Sequence, residues 1–406
     1  MQSYRQKVTT ELEKTAPISI IRLIDALIEH AYRARASDIH IDPSPSKVRV
    51  RFRIDGVLQD TYTFPKNISG EVVSRIKVLA GLRTDEHQTA QDGRFRNKIS
   101  DENTVDVRVS VVPTYHGENA VLRLLGDKAE AYTLESLGFT AEDQEKILRA
   151  VKKSHGMILS TGPTGSGKTT TLYTLIRYLN TSDVSIVTLE DPIEYAIDGI
   201  EQIQVNARTG LTFANGLRSI LRQDPNVIMV GEIRDAETAS IAVNTALTGH
   251  LLLSTLHTSD AATTLPRLLD MKIESFLIAS TVNIAIGQRL VRKICPECKE
   301  SKVLDENQKK SLTGLISDEA LADNQTFSYG VGCEECVGTG YQGRIGVNEV
   351  LVVDNDIREA ILRRASASEI KKIAVRNGMT TMREDGIKKA LAGQTTIEEV
   401  LRVIHE

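Results

Sequence analysis

Gly162-Pro163-Thr164-Gly165-Ser166-Gly167-Lys168-Thr169 follows an apolar run and opens a helical pattern that continues through Thr170 to Leu179. That is the setting in which a glycine-rich loop cradles phosphates. The glycines let main-chain N–H groups wrap phosphate oxygens, and the helix N-terminus adds the positive end of a dipole. Lys168 can then reach β and γ phosphates, and Thr169 can hold Mg²⁺. A chance glycine-rich turn is the plain alternative; the strand before the loop and the helix after it speak against that.

Splitting a nucleoside triphosphate also needs a group that orients and activates water. Two acidic clusters end apolar runs: Glu190-Asp191-Pro192-Ile193-Glu194 and, after Val230, Gly231-Glu232-Ile233-Arg234-Asp235. Carboxylates just past the C-terminal ends of parallel strands face the crevice where such sheets bind ligands. Glu232 is the first choice for catalytic base. Gly231 stands where a Walker B strand usually carries Asp, so Glu190 or Asp191 is expected to substitute toward Mg²⁺. Solvated loop charges or helix N-caps are the alternative for both clusters. The run Thr248 to Thr258 sets His250 before and His257 after a short apolar strand. Opposite ends of a strand cannot both face phosphates, so His257 is expected at the site and His250 in a structural role or at a neighbouring subunit.

Cys295-Pro296-Glu297-Cys298 and Cys333-Glu334-Glu335-Cys336 form two C-x-x-C pairs separated by residues 299–332. Four thiolates suit tetrahedral Zn²⁺ and leave no open coordination position, so the metal would brace the fold and not catalyse. Redox-active thiols and a metal-free remnant are the alternatives. The long separation suggests two knuckles joined by an excursion through a helical stretch around Glu306 to Leu312.

The elements that must position these groups can be read from periodicity. Residues 18 to 35 place Ile20, Ile21, Leu23, Ile24, Leu27, Ile28 and Ala31 at helical spacing behind Pro17, which predicts an opening amphipathic helix. Val48, Val50, Phe52 and Ile54 alternate with Arg49, Arg51 and Arg53, and Asp55-Gly56 offers a hairpin turn. Val105, Val107, Val109 and Val111 form a second alternating run. From His155 onward, apolar runs at Met157–Leu159, Ser185–Leu189, Val227–Val230 and Leu251–Leu253 are spaced by helical patterns, which argues for a parallel α/β sheet. The acidic, Ala-rich stretch from Gly126 to Thr133 reads as a linker.

Composition bounds the function. The 406 residues suggest two to three domains at about 150 residues each. A net charge of -4, 4% aromatics and no Trp lack the footprint of a dedicated nucleic-acid binder. The N-terminus has no apolar stretch behind its positive charges, so no secretory signal is expected and the chain is placed in the cytoplasm. The longest run free of Asp, Glu, Lys and Arg, Thr238 to Ser259, is half Ser, Thr, Asn or His, which a bilayer would not accept. Membrane association is therefore expected through partners only. Four cysteines in a reducing compartment are not expected to form structural disulfides.

Together the motifs resemble the GspE/PilB family of secretion and type IV pilus assembly ATPases, of the RecA-like class. The resemblance runs from about residue 17 to the C-terminus. It is carried by Ser37-Asp38-Ile39-His40-Ile41-Asp42-Pro43, Gln91-Asp92-Gly93-Arg94, Leu189 to Glu194, Gly231 to Asp235, Thr248 to Thr258, and Gly340-Tyr341-Gln342-Gly343-Arg344, in that order. It implies a RecA-like P-loop NTPase core (131–290) after a smaller α+β, PAS-like domain (17–130), with a 1–16 N-terminal segment, a tetracysteine zinc subdomain (291–350) and a helical C-terminal subdomain (351–406). It implies ATP, Mg²⁺ and Zn²⁺ as bound groups and a homohexameric ring with nucleotide held between the domains and neighbouring subunits. An inner-membrane platform protein would be the partner, and pilin or pseudopilin extrusion the work done. Arg94 and Arg108 would reach toward the phosphates from the first domain. Arg218, Arg222, Arg234 and Arg344 match family arginines at the nucleotide or an interface, where a permanently charged guanidinium forks onto phosphate oxygens. A surface or structural ion pair is the alternative for any one of them.

Two departures stand out beside Gly231. Gln88-Thr89-Ala90 replaces an Arg-x-Pro that many relatives carry, removing one possible phosphate or interface arginine. Longer relatives hold an extra N-terminal adaptor domain where about 16 residues stand here, which puts its usual docking partner in doubt. The cysteines separate the chain from the pilus-retraction branch. Two other readings stay open at this point: a DNA-translocating RecA-like motor, and a non-hydrolysing nucleotide-dependent scaffold.

Overall fold

The computed structural model describes residues 2–13, 18–100, 103–126, 132–303 and 326–405. The chain divides into two compact units, Met1–Glu130 and Ala131–Glu406. Residues 127–131 of the expected linker, Pro17, and the expected helical excursion around Glu306 to Leu312 lie outside the described residues.

The first unit holds strands β1 (Ala36–Pro43), β2 (Lys47–Ile54), β3 (Val57–Pro65), β4 (Gln91–Lys98), β5 (Thr104–Thr114) and β6 (Gly117–Gly126). They form one sheet in the order β3-β2-β1-β6-β5-β4, and every pairing is antiparallel. The period-two alternation read from the sequence sends Val48, Val50 and Phe52 of β2 and Val105, Val107, Val109 and Val111 of β5 into the core. Asp55 and Gly56 both take positive φ (49° and 87°), the twist that a two-residue hairpin needs. Helices α1 (Gln2–Leu12), α2 (Ile20–Arg33) and α3 (Ser69–Leu79) complete the unit. Helix α2 buries Leu23, Ile24, Leu27, Ile28 and Ala31 as expected, but Ile21 leaves the stripe and is 54% exposed. Helix α2 is also not the opening element. Helix α1 precedes it and packs on it through buried Val8 and a 2.9 Å ion pair between Lys7 and Glu29.

The second unit is built on strands β7 (Gly156–Thr161), β8 (Ile186–Glu190), β9 (Glu201–Gln204), β10 (Val227–Val230), β11 (Leu251–Leu256) and β12 (Val282–Ile294). A ribbon of β13 (Lys299–Val303) and β14 (Thr326–Gly330) follows, then β15 (Tyr341–Val352). The main sheet runs β15-β12-β7-β11-β10-β8-β9, parallel from β12 to β9, with β15 antiparallel on the outer side of β12. Strands β7, β8, β10 and β11 are buried along their whole length because both faces are covered. Met157 and Leu159 of β7 join one core with Ala239 and Val243, while Ile158 between them joins another with Leu172 and Ile176. The helices are α4 (Ala141–Val151), α5 (Lys168–Leu179), α6 (Phe213–Ile220), α7 (Ala236–Leu247), α8 (Thr264–Asp270) and α9 (Ser275–Thr281). The C-terminal part adds α10 (Asn355–Leu362), α11 (Ala367–Arg376), α12 (Met382–Leu391) and α13 (Ile397–His405). The long pair β12 and β15 was not anticipated from the sequence, where only the four short apolar runs stood out. Among the described residues, no helix is long and apolar enough to cross a membrane.

Candidate nucleotide and metal sites

Strand β7 ends at Thr161 and helix α5 starts at Lys168, so the loop between them lies at the C-terminal edge of the sheet. Three of its glycines are there for conformation: Gly162, Gly165 and Gly167 have φ of 145°, 78° and 94°, which side chains other than hydrogen rarely accept. A Cβ on Gly162 would overlap the Gln288 carbonyl oxygen and stand 2.6 Å from Ser166 Oγ. Lys168 folds back into the loop, its Nζ donating to the carbonyls of Gly162 and Pro163, both at 2.9 Å. Burial, with Arg289 nearby, brings its pKa down to about 8, and Glu232 opposes that fall. Ser166 is buried with its Oγ unpartnered. Thr169 and Thr170 stand half-buried in the first turn of α5.

Parallel pairing brings the acidic clusters to the same edge. Val230 of β10 pairs with Ser254 of β11, whose Leu256 pairs with Thr161. Glu232, two residues past β10, therefore lies beside His257, one residue past β11. Its Oε2 is 3.2 Å from His257 Nε2, and its Oε1 accepts from Arg234. Burial pushes the Glu232 carboxyl up, but Arg234 and His257 together outweigh it and hold the group below its ordinary value. Thr258 N–H, next along, donates to Thr161 Oγ1 at 3.0 Å and staples this loop to the base of the phosphate loop. His250 sits at the other end of β11, with Nδ1 3.2 Å from the Thr245 carbonyl.

Glu190 ends β8 fully buried, and both its oxygens are engaged. Tyr173 of α5 donates to Oε2; Thr188 and Gln202 donate to Oε1 at 2.6 and 3.3 Å. A Cβ at Gly231 would be 3.4 Å from the Cα of Glu190, so the two strand ends are close neighbours. Asp191, the next residue, is exposed. Tyr173 and Gln202 were not singled out from the sequence. Tyr173 could have been found, since it lies one turn beyond the phosphate loop on α5, facing back toward β8.

The arginines are not one cluster. Arg234 pairs with Glu232; Arg218 of α6 pairs with Glu237 of α7 at 2.8 Å; Arg222 donates to the Arg218 carbonyl. Arg344 is on β15 opposite Arg292 of β12. In the first unit, Arg94 of β4 faces Arg108 of β5, which faces Arg123 of β6, so three guanidinium side chains share one row across the sheet. Arg123 at the end of that row donates to Asp38 at 3.0 Å.

The four cysteines converge between the end of β12 and the start of β15. Their sulfurs all lie within 4.8 Å of one another. Cys295–Cys333 and Cys298–Cys336 are 3.8 Å apart, and Cys333–Cys336 is 3.7 Å. Tetrahedral Zn²⁺ with Zn–S of about 2.3 Å places sulfurs about 3.8 Å apart, so the donor set fits that ion. Backbone N–H groups of Cys333 and Gly340 point at Cys336 Sγ at 3.1 and 3.2 Å. Burial opposes them, yet they and the neighbouring sulfurs lower the Cys336 thiol to about 6, while burial pushes Cys298 up to about 12. The cluster is braced by Arg292, whose guanidinium stacks 4.0 Å above the Tyr341 ring and forks onto Glu399 of α13 at 2.9 and 2.8 Å.

A family model described as type II/IV secretion system protein matches residues 11–402. The type II secretion system ATPase E of Vibrio cholerae is 47% identical over 396 residues, covering 98% of this chain and 77% of its own. The type IV pilus assembly ATPase PilB of Thermus thermophilus is 46% identical over 391 residues, covering 96% of this chain and 43% of its own. Among solved structures, the pilus retraction motor PilT with bound ADP superposes with a TM-score of 0.63 at 26% identity, over 93% of this chain and 96% of that one. The family-model match over residues 11–402 and identities of 46–47% along nearly the whole chain establish that the chain belongs to the family of type II/IV secretion system proteins.

Proposed function

We propose that this chain is an Mg²⁺-dependent ATPase that drives type II secretion or type IV pilus assembly. The observation that carries the reading is Glu232, held at the strand edge between His257 and Arg234, in the field of the phosphate-loop Lys168. In this scheme the main chain of 162–170 and Lys168 hold the β and γ phosphates, and Thr169 holds the metal. Bound Mg²⁺ would supply charge neutralisation on the phosphate oxygens. Lys168 must let go of the Gly162 and Pro163 carbonyls to meet the phosphates. Glu232, kept ionised by the Arg234 guanidinium and its hydrogen bond with His257, takes a proton from water as the water oxygen attacks the γ phosphorus. The bond to the β–γ bridging oxygen breaks, giving ADP and inorganic phosphate. His257 orients Glu232 and feels the change in its charge. Glu190, with both oxygens occupied, contributes by fixing the β8 end against α5, which leaves exposed Asp191 as the carboxylate nearest that end able to face a hydrated ion.

Arg218, Arg222 and Arg344, all exposed, suit an interface with neighbouring subunits, and Arg94 and Arg108 suit phosphate contact from the first unit. A homohexamer docked on a membrane platform protein, working at the inner membrane through that partner, fits the family to which the chain belongs. Zn²⁺ in the tetracysteine cluster is assigned a bracing role. The test is steady-state ATP turnover of the purified protein and of Glu232→Gln, with oligomeric mass measured with and without Mg-ATP. Turnover reduced by about 10²–10⁴ in the variant, with a six-subunit mass, supports the reading. Equal turnover in both overturns Glu232 as the base.

A further inference from the structure

Beneath the phosphate loop lies a buried polar chain that the reaction scheme does not use. Gln288, on β12, is 2% exposed, and its neighbours Ser160, Thr171 and Asn348 are completely buried. Ser160 belongs to β7, two residues before Gly162. Thr171 belongs to α5, three residues after Lys168. The Gln288 side chain joins them: its Oε1 accepts from Ser160 Oγ at 2.8 Å, and its Nε2 donates to Thr171 Oγ1 at 2.9 Å. The same Nε2 donates to Asn348 Oδ1 on β15 at 3.2 Å. Its main chain reaches the loop as well, since the Gln288 carbonyl oxygen occupies the space a Cβ on Gly162 would need.

The chain continues outward. Asn348 N–H donates to Asp385 Oδ2 of α12 at 2.8 Å; Asp385 pairs with Lys389, whose Nζ donates to the Gly346 carbonyl at 2.7 Å. A buried amide with three partners is costly to leave half-satisfied, so such a network has one arrangement that it strongly favours. An apolar residue would fill this position without the desolvation cost. The cost is offset here by geometry: one planar amide fixes the separation of the strand and helix that flank the phosphate loop.

We propose that Gln288 is a positioning residue for nucleotide binding, holding β7 and α5 in the phosphate-ready geometry and tying both to Asn348 and helix α12. The proposal rests on the reading of 162–170 as the phosphate site. Gln288 does not touch phosphate; it sets the main-chain N–H groups and Lys168 that do. Its loss therefore weakens ATP and ADP binding more than it slows the chemical step.

The test is ATP turnover and fluorescent-ADP binding by the full chain, comparing the unaltered protein with Gln288→Met, Thr171→Val and Lys168→Ala. Gln288→Met keeps the volume and removes the amide; Thr171→Val keeps the shape and removes one acceptor. KM for ATP and Kd for ADP are expected to rise about tenfold in Gln288→Met, the loss of about one net hydrogen bond's discrimination. They are expected to rise about threefold in Thr171→Val, with kcat in both within about threefold of the unaltered protein. A purely structural role would lower the folded fraction, reducing apparent kcat with KM and Kd unchanged; that result overturns the proposal, as does no change at all. If Gln288→Met fails to fold, Thr171→Val decides by the same criterion. Should Lys168→Ala bind ADP as tightly as the unaltered protein, the phosphate-site reading falls, and the proposal with it.

Discussion

Glu399 is a sharp test of the forces that hold helix α13 to strand β12. It is 2% exposed and accepts from Arg292 Nε, Nη2 and main-chain N and from both Nε and Nη2 of Arg402. Burial pushes its carboxyl up, but the two guanidinium groups prevail and hold it at about 2, against an ordinary 4.5. That difference, at about 1.4 kcal/mol per pKa unit, is worth about 3 kcal/mol at neutral pH. The cost of breaking a buried pair by removing one partner, about 3–5 kcal/mol, is of the same order. Because the folded pKa is depressed, the stabilisation is full above the unfolded value and is lost as pH falls toward the folded one. Urea unfolding of the unaltered protein and of Glu399→Gln, followed by a probe in the C-terminal region, should differ by about 3 kcal/mol at pH 7 and by about 1 kcal/mol at pH 3. A difference below about 1 kcal/mol at pH 7, or one that stays constant down to pH 3, would refute the reasoning.

Three further outcomes follow from the same structure. Arg234→Ala removes the cation that holds the Glu232 carboxyl down, so the acid limb of the pH profile of kcat/KM should move to higher pH; an unmoved limb would sever Arg234 from the base. Gly162→Ala, at φ 145° and against the Gln288 carbonyl, should abolish nucleotide binding while far-ultraviolet circular dichroism stays unchanged, since the strain is confined to one loop. Metal analysis should find one zinc per chain, falling below about a tenth in Cys333→Ser. Its chelation should lower the thermal midpoint without altering the ADP affinity of chains that remain folded.

How far the sequence reached depends on the range of the interaction involved. The phosphate loop was legible because its glycines satisfy a local demand, positive φ at 162, 165 and 167. The four core strands β7, β8, β10 and β11 were legible because burial on both faces writes itself as an apolar run. In β2 and β5, burial on one face writes itself as alternation. The C-x-x-C spacing named a tetrahedral site because each knuckle is local. Helix α1 carries no such signature: its burial depends on α2, and among its described side chains Val8 and Glu11 are the ones deeply covered. Strands β12 and β15 are each other's partners across residues 295–340, and no local pattern specifies a partner so distant.

The same division runs through the site. Residue type and strand-end position brought forward Glu232, Glu190 and His257, and the order of parallel strands then set Glu232 beside His257. The sequence could not say that the oxygens of Glu190 are taken by Tyr173, Thr188 and Gln202, or that Arg234 turns back onto Glu232 while Arg218 turns to Glu237. Those pairings are selected by competition among buried donors and acceptors, each of which must find a partner once water is gone. The sequence by itself determined which chemical groups are present and which local turns they require; the tertiary structure alone decided which groups meet, because hydrogen bonds and ion pairs fall off over a few ångströms and only packing brings residues 160, 171, 288 and 348 within that reach.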